Sequence, residues 1–226
     1  MKRSPVPFDN NYFEKEKLKG RTLSVKETFR QIHRSNHWSG NQSVSGIGSD
    51  PEQTRTIQEA LPKVFEQYDI KSMLDLPCGD FNWMQNVTPH LEHYTGTDIV
   101  PELVKKNQQR FADSRHTFLE LDILSDAPPT ADLLFCRDLL VHFSFEDITK
   151  ALENINKSDI PYLMTTTFTQ CRENQDITTG DWRIINLQQP PFSLPDPLEL
   201  INEQCTEGQG TYADKSLGLW EISDLL

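Results

Sequence analysis

Two short apolar runs end in an acid in the same way. Ser72-Met73-Leu74-Asp75 leads into Leu76-Pro77-Cys78-Gly79-Asp80, and His93-Tyr94-Thr95-Gly96-Thr97 leads into Asp98 and Ile99. A carboxylate at the carboxyl end of a strand can accept from two hydroxyls at once, which fixes a ribose. A glycine in the first turn lets main chain approach a ligand without a Cβ clash. Strand, tight turn and second acid-tipped strand make half of a nucleotide-type crevice. Two further acids follow apolar runs, Asp122 after Leu121 and Asp138 after Cys136-Arg137. Asp75 or Asp98 alone would also suit the start of a turn, and Leu121-Asp122-Ile123 would also suit a helix cap.

Proton transfer has its own candidates. Asp138 and His142 are four residues apart and share a face if a helix begins near Asp138. His142 titrates near neutrality and is the natural base, with Asp138 orienting it or taking the proton itself. The competing reading has His142 packed beneath the crevice. Asp80 and Trp83 follow the first turn and are acceptor-contact candidates, Trp83 packing on either ligand or core. Further on, Asp181-Trp182-Arg183 lies in a long polar segment after a core strand. An aromatic that stacks on a sugar ring, beside amides and carboxylates that bond its hydroxyls, suits a saccharide-like acceptor. A surface excursion with Trp182 plugging the core edge is the alternative. The turn-rich stretch 38–49, with Gly40, Gly46 and Gly48, is a candidate lid or an ordinary connector.

The elements that must position these residues follow from periodicity. Strands are expected at 72–76, 93–97, 117–121, 131–136 and 162–167, with helices near 101–111 and 145–156. Ser144 and Asp147 provide the second helix with a cap and a capping-box acid. Strands separated by helices imply a parallel sheet covered on both faces. Two late strands, 198–205 and 216–222, should pair antiparallel across the turn-rich 207–214. Upstream, 1–22 reads as an irregular arm and 24–35 as a short helix. A further helix has Asp50 as its N-cap, with Pro51 at its first position and Gln53 at its third, and is kinked or delayed by Pro62. The division expected is 1–49 for arm, helix and lid loop, and 50–226 for the catalytic domain.

The chain has 226 residues, 36% hydrophobic and 25% charged, with a net charge of -12. That length allows one full core. The only dense basic stretch, 15–26, is broken up by Glu14 and Glu16, so nucleic acid is a poor partner and a small or neutral acceptor is easier to accommodate. No apolar run is long enough to span a membrane, and no apolar segment follows Lys2-Arg3, which argues against a signal peptide and for a cytoplasmic protein. The four scattered cysteines disfavour a zinc site or disulfide framework. Oligomeric state is not encoded legibly.

The motifs Asp75-Leu76-Pro77-Cys78-Gly79-Asp80, Asp98, Leu121-Asp122-Ile123 and 131–138 together resemble those of class I S-adenosylmethionine-dependent methyltransferases. The likeness covers about residues 50–167 by motif and the terminal hairpin by pattern. It implies a Rossmann-like α/β fold with a seven-stranded, mostly parallel sheet, helices on both faces, an N-terminal helical extension and S-adenosylmethionine as cofactor. It also implies that 75–79 passes under the methionine part, that Asp98, with Ile99 beside it, takes the ribose hydroxyls, and that Asp122 and Ile123 sit by the adenine. Arg137 and Asp138 would lie near the methionine end and the acceptor. The loop departs from the family pattern in having only Gly79 where two or three glycines alternate. The PCGDFNW-like motif and the TGDWR-like later loop resemble those of bacterial members of the family. The expected activity is methyl transfer to oxygen or nitrogen of a small polar molecule. Its rivals are a cofactor-binding module without catalysis and a nucleotide-sugar or NAD-using enzyme, the latter disfavoured because no GxGxxG occurs.

Overall fold

Alternation in the strands sets the two faces of a single sheet. In the first strand Leu74 points to one buried cluster and Met73 to the other; Leu134 and Phe135, and Leu163 and Met164, repeat the division in later strands. The computed structural model describes residues 9–40 and 42–225. The strands are β1 (Ser72–Asp75), β2 (His93–Asp98), β3 (His116–Glu120), β4 (Leu133–Cys136), β5 (Tyr162–Phe168), β6 (Glu199–Asn202) and β7 (Lys215–Glu221). Their order is β3-β2-β1-β4-β5-β7-β6. The first five are parallel, and β7 enters antiparallel between β5 and β6, as the late hairpin required.

The helices are α1 (Tyr12–Leu18), α2 (Val25–Ser35), α3 (Pro51–Gln67), α4 (Pro101–Phe111) and α5 (Phe145–Asn156). α5 and α2 bury their apolar stripes on one face of the sheet and α3 on the other. Ser144 caps α5 by accepting from the Asp147 amide at 3.2 Å. The return half of the box runs through Thr179, whose hydroxyl accepts from the Ser144 amide and donates to the Asp147 carboxylate.

Three local expectations are corrected. The arm is not irregular throughout: 12–18 is helical, because the Asp181 carboxylate accepts from the Phe13 and Glu14 amides at 2.8 and 2.9 Å and so caps α1 from across the chain. Residues 1–8 of that expectation lie outside the described residues. Asp50 precedes α3 but makes no side-chain cap bond, and the Gln53 side chain pairs instead with Thr206. α3 starts at Pro51 and continues through Pro62.

Candidate active site

The strand order reverses between β1 and β4, and there a crevice opens at the carboxyl ends of the strands. The cavity in it is lined by Asp75, Pro77, Cys78, Gly79, Asp98 and Ile99, and by Asp80, Trp83, Arg137, Asp138 and His142. Asp98 is buried, its two carboxylate oxygens accepting from the Val100 amide at 2.9 Å and the Gly79 amide at 3.2 Å. Burial pushes its acid up to about 6 against these amides. Asp75 is pushed up to about 7 by burial, and the Tyr94 hydroxyl donates to it at 2.6 Å. Gly79 has φ +54°, and a Cβ there would run into Ser45 Oγ. The single glycine of the loop therefore sits where main chain must be bare, and Asn107 Nδ2 fixes it by donating to its carbonyl at 2.8 Å.

These features fit an adenosyl group: a buried carboxylate with acceptor capacity left, at a strand end, beside a glycine-bared turn. Asp122 and Ile123 do not line the cavity. Asp122 closes a turn by accepting from the Leu124 amide at 3.0 Å, and Ile123 packs in the core.

Asp80 does something the sequence did not suggest. Its carboxylate accepts from Ser43 Oγ at 2.9 Å and from the Val44 amide at 3.0 Å. The 38–49 stretch is thereby tied over the crevice, and Trp38, Val44, Ser45 and Ser49 form part of its wall. Asn41 of that stretch lies outside the described residues. The lid expectation thus gains a latch, one that uses an acid expected to touch the acceptor.

Asp138 and His142 both face the cavity, but not from one helix. Asp138 has φ +56°, and Leu140–His142 is a short 3-10 turn. His142 Nδ1 lies 2.9 Å from the Asp181 carbonyl oxygen, which can only accept. Nδ1 therefore carries the hydrogen and Nε2 presents a lone pair. The ring is stacked on Trp38, centroids 4.6 Å apart. Burial lowers its pKa to about 4, so the imidazole is neutral near pH 7. Burial alone would raise the Asp138 acid; Lys215 at 2.6 Å and Arg137 at 3.3 Å outweigh it and hold the carboxyl well below its ordinary range. Arg137 in turn is bonded to buried Glu203 at 2.7 Å.

A second cavity meets the first along a shared wall of Trp38, Ser45, Asp138 and His142. Trp182 lines this second cavity with Phe168 and Tyr212. Asp181 and Arg183 line neither. Arg183 is buried and donates to the carbonyls of Leu140, Phe143 and Gln175 at 2.7, 2.8 and 3.1 Å. Gly180 donates to the His142 carbonyl at 2.8 Å, and the Arg183 amide to that of Val141 at 3.2 Å. The 180–183 segment thus wraps the turn that carries His142. Glu207, Lys215, Phe168 and Tyr212, which line the second cavity, and Glu203, which pairs with Arg137, were not among the residues the sequence singled out. Only the lysine that opens an otherwise apolar strand at 215 offered a signal.

Among the described residues no helix is long and apolar enough to cross a membrane, and no group of three or more His, Cys, Asp or Glu side chains converges as a metal site. All four cysteines are buried and unbridged.

Residues 74–158 match the model of a methyltransferase domain family. Comparison with curated proteins finds no match. Among solved structures, the N-methyltransferase NodS from Bradyrhizobium japonicum WM9, in complex with S-adenosyl-L-homocysteine, is 17% identical with a TM-score of 0.61, over 86% of this chain and 97% of that one. Human N-acetylserotonin methyltransferase in complex with S-adenosylmethionine is also 17% identical, with a TM-score of 0.57, over 92% of this chain and 61% of that one. Those likenesses concern the fold, and the domain match spans the crevice from β1 through α5. Residues 74–158 thus match a methyltransferase domain, set in a sheet with the fold of class I S-adenosylmethionine-dependent methyltransferases.

Proposed function

We propose that the chain transfers a methyl group to an oxygen or nitrogen of a small polar acceptor, a saccharide-like ring being one fit, with the cofactor in the first cavity and the acceptor in the second. One observation carries this reading: the two cavities share the lining residues Trp38, Ser45, Asp138 and His142, and His142 stands there with Nε2 unprotonated.

When bound, S-adenosylmethionine supplies a methyl group on a sulfonium, open to in-line displacement. The chain's part is alignment and proton removal. Asp98 takes the ribose hydroxyls, and the 75–79 turn with Asp75 backs the methionine end. His142 Nε2 receives the proton as the acceptor atom gains its new bond. A weak base is enough at that stage, because an alkylated hydroxyl is far more acidic than a free one. Asp138, kept ionised by Lys215 and Arg137, stabilises the imidazolium that forms. The ion pairs thus keep Asp138 from acting as the base and leave that role to His142.

The test is release of S-adenosylhomocysteine by purified protein incubated with metabolite and glycan fractions. His142→Gln should lower turnover with a responding acceptor by about 10²–10⁴-fold, the range general bases contribute, while cofactor affinity stays within about threefold. Full activity in that variant removes His142 from the mechanism. Cofactor binding without turnover on any fraction favours a binding module.

A further inference from the structure

Resting on the placement of the acceptor in the second cavity, we propose that this chamber selects by charge: it takes a ring-bearing acceptor that presents a hydroxyl or ammonium donor, and rejects carboxylates and phosphates. Three features argue for this.

One wall is aromatic. Trp182 and Tyr212 meet edge to face at 5.1 Å, both half-buried, with Phe168 closing behind them at 6.3 and 6.2 Å. A wall of that kind packs on the flat face of a ring and draws cations to its π-faces.

Glu207 lines the same chamber. Among the described residues its carboxylate has one hydrogen-bond partner, the weak Cys205 thiol at 3.8 Å, and it makes no ion pair, although Lys215 and Arg137 lie near enough to act on it through space. The other acids nearby are occupied: Glu203 by Arg137, and Asp138 by Lys215. Glu207 is therefore the acceptor group left over for a donor on the bound molecule.

The charges around the chamber do not balance. Among the described residues that line it, Asp138 and Glu207 are set against Lys215 alone, and Lys215 is already committed to Asp138 at 2.6 Å and Glu203 at 3.6 Å. His142 adds no charge near neutral pH. An anionic acceptor would enter a site with a surplus carboxylate and no uncommitted cation, and would pay for its desolvation with nothing in return.

The test uses two matched series on full-length protein saturated with S-adenosylhomocysteine, with affinity read by calorimetry: tyramine, tyrosol and 4-hydroxyphenylacetate on a phenol ring, and glucosamine, glucose and glucuronate on a sugar ring. In the ring series that binds, the amine or neutral member should bind at least about tenfold more tightly than the acid. Glu207→Gln should shrink the amine's advantage over the neutral member, and Glu207→Lys should bring the acid up to or above it. An acid that binds wild-type protein as well as its partners, or a ranking unmoved in both variants, overturns the proposal. So does absence of binding across both series, and the methyltransferase reading then still stands on cofactor binding. Failure to bind S-adenosylhomocysteine at all would instead strike the placement on which the proposal rests.

Discussion

In the proposed placement of the cofactor, the buried Asp98 sets both affinity and its pH dependence. Its acid is raised to about 6 by burial, while the Gly79 and Val100 amides pull the other way. Two ribose hydroxyls need a carboxylate that only accepts, so cofactor binding favours the ionised form. The Asp98 contribution should be present at pH 8 and be lost as pH falls through about 6, by up to about tenfold per pH unit at the limit, on top of any step from Asp75, whose acid stands at about 7. In Asp98→Asn, S-adenosylhomocysteine affinity at pH 8 should drop by about 2–3 kcal/mol, roughly 30- to 150-fold, and its pH dependence should flatten. Calorimetric titration between pH 5 and 8 checks both. An unchanged affinity would refute the ribose role. This residue was legible in the sequence because its signal is local: an apolar run, an acid at its end, and a glycine turn just upstream. Glu203, Glu207 and Lys215 were not, because their meaning arises only when β7 enters beside β5 and brings the hairpin to Arg137 and Asp138.

At the scale of elements, the strands were readable because short apolar runs bounded by turn residues agree with the tertiary arrangement, although 131–136 and 198–205 were drawn longer than β4 and β6. The 180–183 segment was misplaced for the opposite reason. Asp181, Trp182 and Arg183 are adjacent in sequence, and polar composition suggested one shared role, but the chain turns each of them to a different task. Asp181 caps α1 and fixes the imidazole through its carbonyl, Trp182 faces the second cavity, and Arg183 clamps the 140–143 turn. On the proposed role of His142, Arg183 is a positioning residue acting through it. Lysine cannot reproduce its three-way donation to the carbonyls of Leu140, Phe143 and Gln175. Arg183→Lys should therefore lower kcat by about tenfold or more, with cofactor affinity unchanged. Nitrogen NMR of the imidazole gives a second readout: the Nδ1–H form should dominate in the wild type and give way to a mixture in the variant. A purely stabilising role would lower the melting temperature and leave the tautomer alone.

For the molecule as a whole, described residues between 9 and 50 are part of both cavities and of the core. Phe13, Phe29 and Ile32 are buried in the same cluster as Leu74, Leu134 and Leu163, and Phe29 also lines the crevice. The expected boundary at 49/50 therefore divides side chains that share one core. A pair of substitutions separates stability from site assembly. Phe29 sits on the crevice face, and Phe65, equally buried, sits in the cluster on the other face and lines neither the crevice nor the second cavity. Truncating either to alanine should cost about 3–5 kcal/mol. At about 2–4 °C per kcal/mol for a domain of this size, the melting temperature should fall by roughly 6–20 °C in both. Only Phe29→Ala should also weaken S-adenosylhomocysteine binding. Its ligand-induced rise in melting temperature, measured at equal free ligand, should then be smaller than that of Phe65→Ala, because the rise follows the ratio of ligand concentration to Kd. Equal rises in the two variants would mean that the N-terminal helices support the sheet without shaping the cofactor site, and that the catalytic unit begins at α3.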